Sequence, residues 1–164
     1  MRLGSRKGNA AIEFTLAAIP LLFVQISLVE ICRAMWDYHS LAEAVKVASR
    51  SAATRGAGCA GQGCAITIDT LAHLVANYAV GMPATALNVT LSSNAGTVSC
   101  TPLNACFGNG TVWPPAGGNT VGNDIVVSGS YNFSSALMMF IPGKGGMKFS
   151  TVTFTAQSRQ MLLY

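Results

Sequence analysis

Residues 9–29 read NAAIEFTLAAIPLLFVQISLV, with a single charge, Glu13, in the whole stretch. A helix crosses the hydrocarbon core of a bilayer with about 20 apolar residues, so this segment has the length and composition of a membrane span. Arg2, Arg6 and Lys7 precede it, with no acid before Glu13. Mixed charge follows it. The positive-inside rule then puts the N-terminus in the cytoplasm and everything from about Arg33 onward on the other side. A cleaved secretory signal fits less well. Phe14 to Val29 is long for the apolar part of such a signal, and no small-x-small cleavage site follows it directly; Ala42-Glu43-Ala44 comes too late.

The rest of the composition agrees. The chain has 164 residues, enough for one domain and an anchor. Charged residues make up 10% of it, against about 25% in a typical soluble domain, and the mean hydropathy is +0.44. This is the profile of a membrane or exported protein. The formal charge of +4 is unevenly placed, and no basic patch with interleaved aromatics occurs, which argues against a nucleic-acid partner.

Glu13 is the residue that composition does not explain. An acid inside a spanning helix costs roughly 2.5–3.5 kcal/mol. The positions one turn on are Leu16 and Ala17, and Arg6 and Lys7 lie six or seven residues back. Either Glu13 sits near the interface and snorkels, or it has a role.

Residues 6–14, RKGNAAIEF, resemble the processing site of type IV prepilins: a short basic leader ending in Gly, then an apolar helix with Glu at its fifth position. Counted from Asn9, Glu13 is fifth and the aromatic Phe14 follows. Within that group the chain resembles the TadE-like minor pilins (pseudopilins) of tight-adherence, Flp-type IVb pilus systems. Residues 31–55, ICRAMWDYHSLAEAVKVASRSAATR, resemble that family's Ala- and Arg-rich helix beyond the membrane. Residues 124–133 (DIVVSGSYNF) and 147–159 (MKFSTVTFTAQSR) resemble its closing strands. Asn9 departs from the small residue commoner at the first mature position.

The resemblance implies a prepilin leader over residues 1–8, a transmembrane helix over 9–31 and a periplasmic or extracellular pilin-like domain over 32–164. It implies an α+β fold: a long N-terminal helix, half in the membrane and half outside, packed on a small antiparallel sheet of about four strands. It also implies cleavage between Gly8 and Asn9 by a prepilin peptidase, assembly with other pilins and inner-membrane pilus proteins as a hetero-oligomer, a role in surface adhesion and biofilm formation, and no cofactor. The location implied is the bacterial inner membrane, or the pilus at the cell surface. A different role on the same anchor is a membrane-bound assembly or secretion factor that docks a periplasmic partner and never enters a filament.

The motif has a physical logic. Cleavage after Gly8 creates a positive amine on Asn9, and four residues of helix carry it about 6 Å from the Glu13 carboxylate. Staggered neighbours can then alternate amine and carboxylate, so that each buried charge meets a partner; one left alone would be costly. Gly8 has no side chain to hinder a protease at the backbone.

Pro20 removes one helix hydrogen bond, and a kink or local unwinding is expected there. Helical spacing carries the helix to about Thr54, before Gly56-Ala57-Gly58, with an apolar-to-small stripe of Ile31, Met35, Tyr38, Ala42, Val45, Ser49 and Ala52. Glu43 and Lys46 support it at i, i+3. A second helix is expected over residues 69–80, capped by Thr67 or Asp69 and stopped by Gly81 and Pro83. Strands are expected over 86–91, 97–100, 124–133 and 148–157. The apolar run 136–141 between the last two is core or a contact patch. Residues 101–122 are rich in Gly, Pro, Asn and Thr and predict an exposed loop, with Trp113 as its anchor or as a contact residue.

Five cysteines stand at 32, 59, 64, 100 and 106. In an exported domain Cys59, Cys64, Cys100 and Cys106 read as disulfides. Three pairings are possible, and two local loops are the expectation. Cys32 is left as a free thiol or an intermolecular crosslink. His39 and His73 are not at metal-ligand spacing, and no nucleophile, zinc or phosphate-loop motif occurs; residues 143–146, GKGG, lack the rest of a phosphate loop. No enzyme activity is predicted.

Overall fold

The computed structural model describes residues 7–56, 59, 63–135, 139–140, 147–148 and 151–162. The chain forms two compact units, Met1–Ala34 with Ser134–Thr151, and Met35–Phe133 with Val152–Tyr164.

One helix, α1 (Lys7–Thr54), accounts for 48 residues, about 70 Å at 1.5 Å per residue. It continues through Pro20 with no unwound residue. In the first unit it is accompanied by the short antiparallel pair Met139–Phe140 and Met147–Lys148. The apolar run 136–141, apart from Met139 and Phe140, and residues 143–146 lie outside the described residues.

The second unit holds the sheet. Its strands are β1 (Leu87–Ser93), β2 (Gly96–Cys100), β3 (Asp124–Ser134) and β6 (Thr151–Met161), in the order β2-β1-β3-β6; the numbers β4 and β5 belong to the two-residue strands above. β1 turns tightly into β2 through Asn94-Ala95, with Ser93 facing Gly96. β1 runs antiparallel to β3, with Leu91 facing Val127. Thr153 donates to Asn132 (2.8 Å), and Leu162 N–H to the Asn123 carbonyl (2.9 Å), which sets β6 antiparallel along β3. The expected α+β architecture, a long helix with a four-stranded antiparallel sheet, is present. The strands are displaced by one to four residues from expectation at several ends, and β6 runs Thr151–Met161 rather than 148–157.

Alternation explains the core. Leu87, Val89 and Leu91 on β1 and Ile125, Val127 and Phe133 on β3 are buried, while Asn88, Thr90, Ser128 and Ser130 between them look outward. Onto the inner face packs α1 through Leu41, Ala44, Val45, Ala48 and Ala52. Contact is closest at Gly129: a Cβ there would stand 2.9 Å from both Leu41 Cδ1 and Val45 Cγ2. Ser49 and Ser158 share a hydrogen bond of 2.7 Å between helix and β6.

This corrects the stripe expected on α1. Val45, Ser49 and Ala52 are buried as expected, but Ile31, Met35 and Tyr38 are exposed. The inward face runs Asp37, Leu41, Ala44, Val45, Ala48 and Ala52. Alanines alternate on it with Leu41 and Val45, which come up against Gly129 of the sheet. The Glu43–Lys46 pair forms at 3.9 Å on the opposite, exposed side.

Helix α2 (Ile68–Tyr78) is capped by Thr67, whose hydroxyl accepts from Thr70 N–H at 3.2 Å. Leu71, Ala72 and Val75 join the core. Asp69, in its first turn, accepts from Gly108 N–H at 2.6 Å, and His73 stacks on Phe107 with centroids 4.2 Å apart. Residues 101–122 are therefore a loop, exposed at many positions but pinned to the domain at several others. A 3-10 turn at Leu103–Cys106 packs against α2 and β2, Leu103 and Trp113 are buried, and Val112 bridges to Thr67. Trp113 is an anchor, with only 1% of its surface exposed. Cys100 and Cys106 are joined, as are Cys59 and Cys64, with Cα–Cα distances of 5.5 and 5.7 Å.

Candidate functional site

The N-terminal half of α1 is the surface that a folded domain leaves unexplained. Its most apolar stretch is wholly unburied within the chain. Ile12, Leu16, Leu21, Val24 and Leu28 are all more than half exposed, and Phe14 reaches 75%. An apolar surface of this extent in water would be an aggregation site; in lipid it is in its proper solvent. The described residues contain one helix long and apolar enough to cross a membrane, and it is this one.

Polar groups along it are managed in ways that suit lipid. Thr15 returns its hydroxyl to the Ala11 carbonyl at 2.7 Å, which satisfies the donor inside the helix. Pro20 supplies no N–H to the Leu16 carbonyl, and beside it Ile19, Phe23, Val24, Ser27 and Leu28 line a shallow apolar groove. Glu13 lies on the exposed part of the helix, next to Phe14. Gly8 and Asn9 are within α1.

At the far end of the apolar run stands an acid that sequence reasoning passed over. Glu30 is only 4% exposed. Ser135 donates its hydroxyl to Oε2 at 3.0 Å, and the Arg33 guanidinium lies 3.5 Å from Oε1. An acid directly after Val29 with a base at i+3 was the available signal. Cys32 is exposed nearby with a free thiol.

The second unit offers less. The outward face of the sheet has a shallow depression lined by Asn88, Thr90, Ser128, Ser130, Thr155 and Gln157, all neutral. At one edge Arg159 donates to Asp124 across β3 and β6. That hydrogen bond, helped by the guanidinium charge and opposed by desolvation, holds the Asp124 carboxyl below its ordinary value, and the same bond pushes Arg159 up.

The apolar helix beginning at Gly8 is thus the feature to compare with known proteins. Residues 8–50 match the family model of TadE-like proteins. This segment is TadE-like. The match starts at the glycine of the proposed processing site and ends in the sheet-packed half of α1, so it covers the helix and not the strands. It associates the chain with tight-adherence (Tad) pilus systems, and the single apolar helix fits a single-pass membrane protein of such a system. No curated protein and no solved structure matches the chain.

Proposed function

We propose that this TadE-like chain is a minor pilin, or pseudopilin, whose bare helix is both membrane anchor and assembly surface. A prepilin peptidase cleaves between Gly8 and Asn9. The new amine of one subunit and the Glu13 carboxylate of its neighbour then pair between staggered helices, which sets the register of docking against other pilins. The protein lies in the bacterial inner membrane with residues 9–31 spanning it, its N-terminus cytoplasmic and its sheet domain periplasmic. Adhesion and biofilm formation follow from the pilus it helps to build.

The observation that carries this reading is an apolar helix whose most apolar stretch is unburied within the chain, with an exposed acid, Glu13, five positions after Gly8, inside the TadE-like segment. Exposure matters because a helix that docks on other helices must keep its apolar face out of its own domain. The role is structural.

The test is Glu13→Ala expressed in a pilus-forming host. Pilus assembly or incorporation into sheared surface fibres is expected to be lost, with the protein still present in the membrane. Unchanged piliation would refute the reading and leave a membrane-held docking factor. Gly8→Phe should leave an uncleaved form, seen as an intact N-terminal mass.

A further inference from the structure

Asn109-Gly110 is the one Asn-Gly pair in the sequence, and it lies in the loop that caps α2. The residues on either side of Gly110 accept the first free N–H groups of that helix. Ile68 N–H donates to the Thr111 carbonyl and Asp69 N–H to the Asn109 carbonyl, both at 2.9 Å. The Asp69 carboxylate in turn accepts from Gly108 N–H at 2.6 Å. Gly110, in the middle of this arrangement, is left open. It is exposed, with nothing within 4 Å of where a Cβ would stand. Among the described residues its N–H donates to no protein group.

The Asn109 side chain is set for attack by that nitrogen. Its Oδ1 accepts from Thr111 N–H at 3.1 Å. The ring closed by this bond runs through Cγ, the Asn109 backbone and the Gly110 nitrogen, so the two reacting atoms are held within one turn. The same Thr111 N–H is aimed at the oxygen on which negative charge grows when Cγ is attacked. Elsewhere in the chain the residue after an asparagine carries a side chain, which crowds the approach.

We infer that Asn109 is a site of spontaneous deamidation, and that isoaspartate formed there unpins the 108–112 loop from α2. The Gly110 nitrogen bonds to Cγ. The proton it sheds passes through water to the side-chain nitrogen, which leaves as ammonia. The succinimide so formed takes up one water. Breaking its Cγ–N bond gives aspartate, and breaking the bond between the α-carbonyl carbon and that nitrogen gives isoaspartate. Aspartate keeps the length of the chain, and its carboxylate can accept from Thr111 N–H as the amide did. Isoaspartate routes the chain through Cβ and Cγ, which lengthens it by one carbon, and turns the old α-carbonyl into a free carboxylate beside Asp69. The acceptors of Ile68 and Asp69 then no longer stand at the spacing of the first turn of α2. The Cys100–Cys106 bond and buried Trp113 still hold the two ends of the loop, so the loosening is local.

The experiment ages the full chain in detergent micelles at mildly alkaline pH, beside a peptide of residues 107–113. Digestion and mass spectrometry locate the deamidation, and enzymatic methylation of isoaspartate separates the two products. Asn109 in the folded chain should react within a few-fold of the peptide's rate and yield isoaspartate. Gly110→Ala, which enters open space, should slow the reaction at least several-fold. Amide hydrogen exchange at Ile68 and Asp69 should rise several-fold in the isoaspartate-bearing fraction. It should stay unchanged in Asn109→Asp, which carries the charge without the longer chain. A folded chain that stays intact while the peptide reacts would show that the fold protects Asn109, and the assignment would fall. Isoaspartate with unaltered exchange at residues 68 and 69 would overturn the unpinning. So would an equal rise in Asn109→Asp, which would assign the effect to charge.

Discussion

Replacing Gly129 by alanine tests the closeness of α1 to the sheet. The added methyl would lie 2.9 Å from Leu41 Cδ1 and 2.9 Å from Val45 Cγ2, where carbon pairs prefer about 3.5–4.0 Å. Both neighbours are fully buried, and valine's χ1 is stiff in a helix, so neither has an easy exit. Overpacking of this kind costs about 1–3 kcal/mol. Alanine returns about 0.4–1 kcal/mol by restricting the unfolded chain. The net expectation is a loss of about 1–2 kcal/mol, or roughly 2–8 °C in Tm at 2–4 °C per kcal/mol for a chain of this size. Thermal unfolding in detergent, followed by the near-UV signal of buried Trp113, measures it. Adding Val45→Ala makes room on one side, so the double variant should lose less than the sum of the two single losses by about 1 kcal/mol, the size of coupling seen between touching residues. Gly110→Ala, where nothing lies within 4 Å, is the control and should be near neutral. A neutral Gly129→Ala with strictly additive Val45→Ala would show that α1 does not lie against β3 at this point.

Three further outcomes follow from local chemistry. Thr67→Ala removes the cap of α2 and should cost about 1 kcal/mol, read as a lower denaturant midpoint with an unchanged slope. Cys100→Ser with Cys106→Ser opens a loop of sequence separation 6. It should cost about 2 kcal/mol by chain entropy and raise hydrogen exchange in α2, whose first turn is tied to Gly108. Asp124 titrates below its unfolded value in the fold, so its pairing with Arg159 stabilises fully above about pH 4 and fades as pH falls through the lower folded value. The Asp124→Asn variant should therefore differ from the parent at pH 7 and converge with it as pH falls below the lowered folded value. The pair is exposed, so the difference should be small and shrink in salt; equal stability across the whole range in low salt would remove the pair's role.

What the sequence made legible was what local physics decides. The apolar run, the Gly-rich stop after Thr54, the Thr67 cap and the alternation in residues 124–133 each carry their own instruction. The inward face of α1's outer half was not legible. Ile31, Met35 and Tyr38 are larger than Ala44, Ala48 and Ala52, yet the alanines are buried, because the side of the helix that meets the sheet is set by strands distant in sequence. For residues 101–122 Gly, Pro and Asn announced a loop, but not the Cys100–Cys106 bond, the Thr67–Val112 bridge and the Asp69–Gly108 hydrogen bond that pin it to the domain. Those constraints join residues distant in sequence or depend on pairing choices, so no window of the chain displays them.

The two acids that bound the apolar surface of α1 stand in different surroundings. Glu30 is buried within its own chain, where Ser135 and Arg33 attend it. Removing it would lose its hydrogen bond from Ser135 and its pairing with Arg33, a cost to the fold of about 1.5–3 kcal/mol for a hydrogen bond to a charged group. Glu13 is exposed on the bare helix, on the surface that any docking helix must meet. A carboxylate there is in a position to act on assembly, whereas the Glu30 carboxylate acts on stability. If docking register is set by charge, it must be set at Glu13. Removing each acid in turn should then divide the phenotypes: loss of pilus assembly with a stable protein at position 13, and a destabilised protein at position 30.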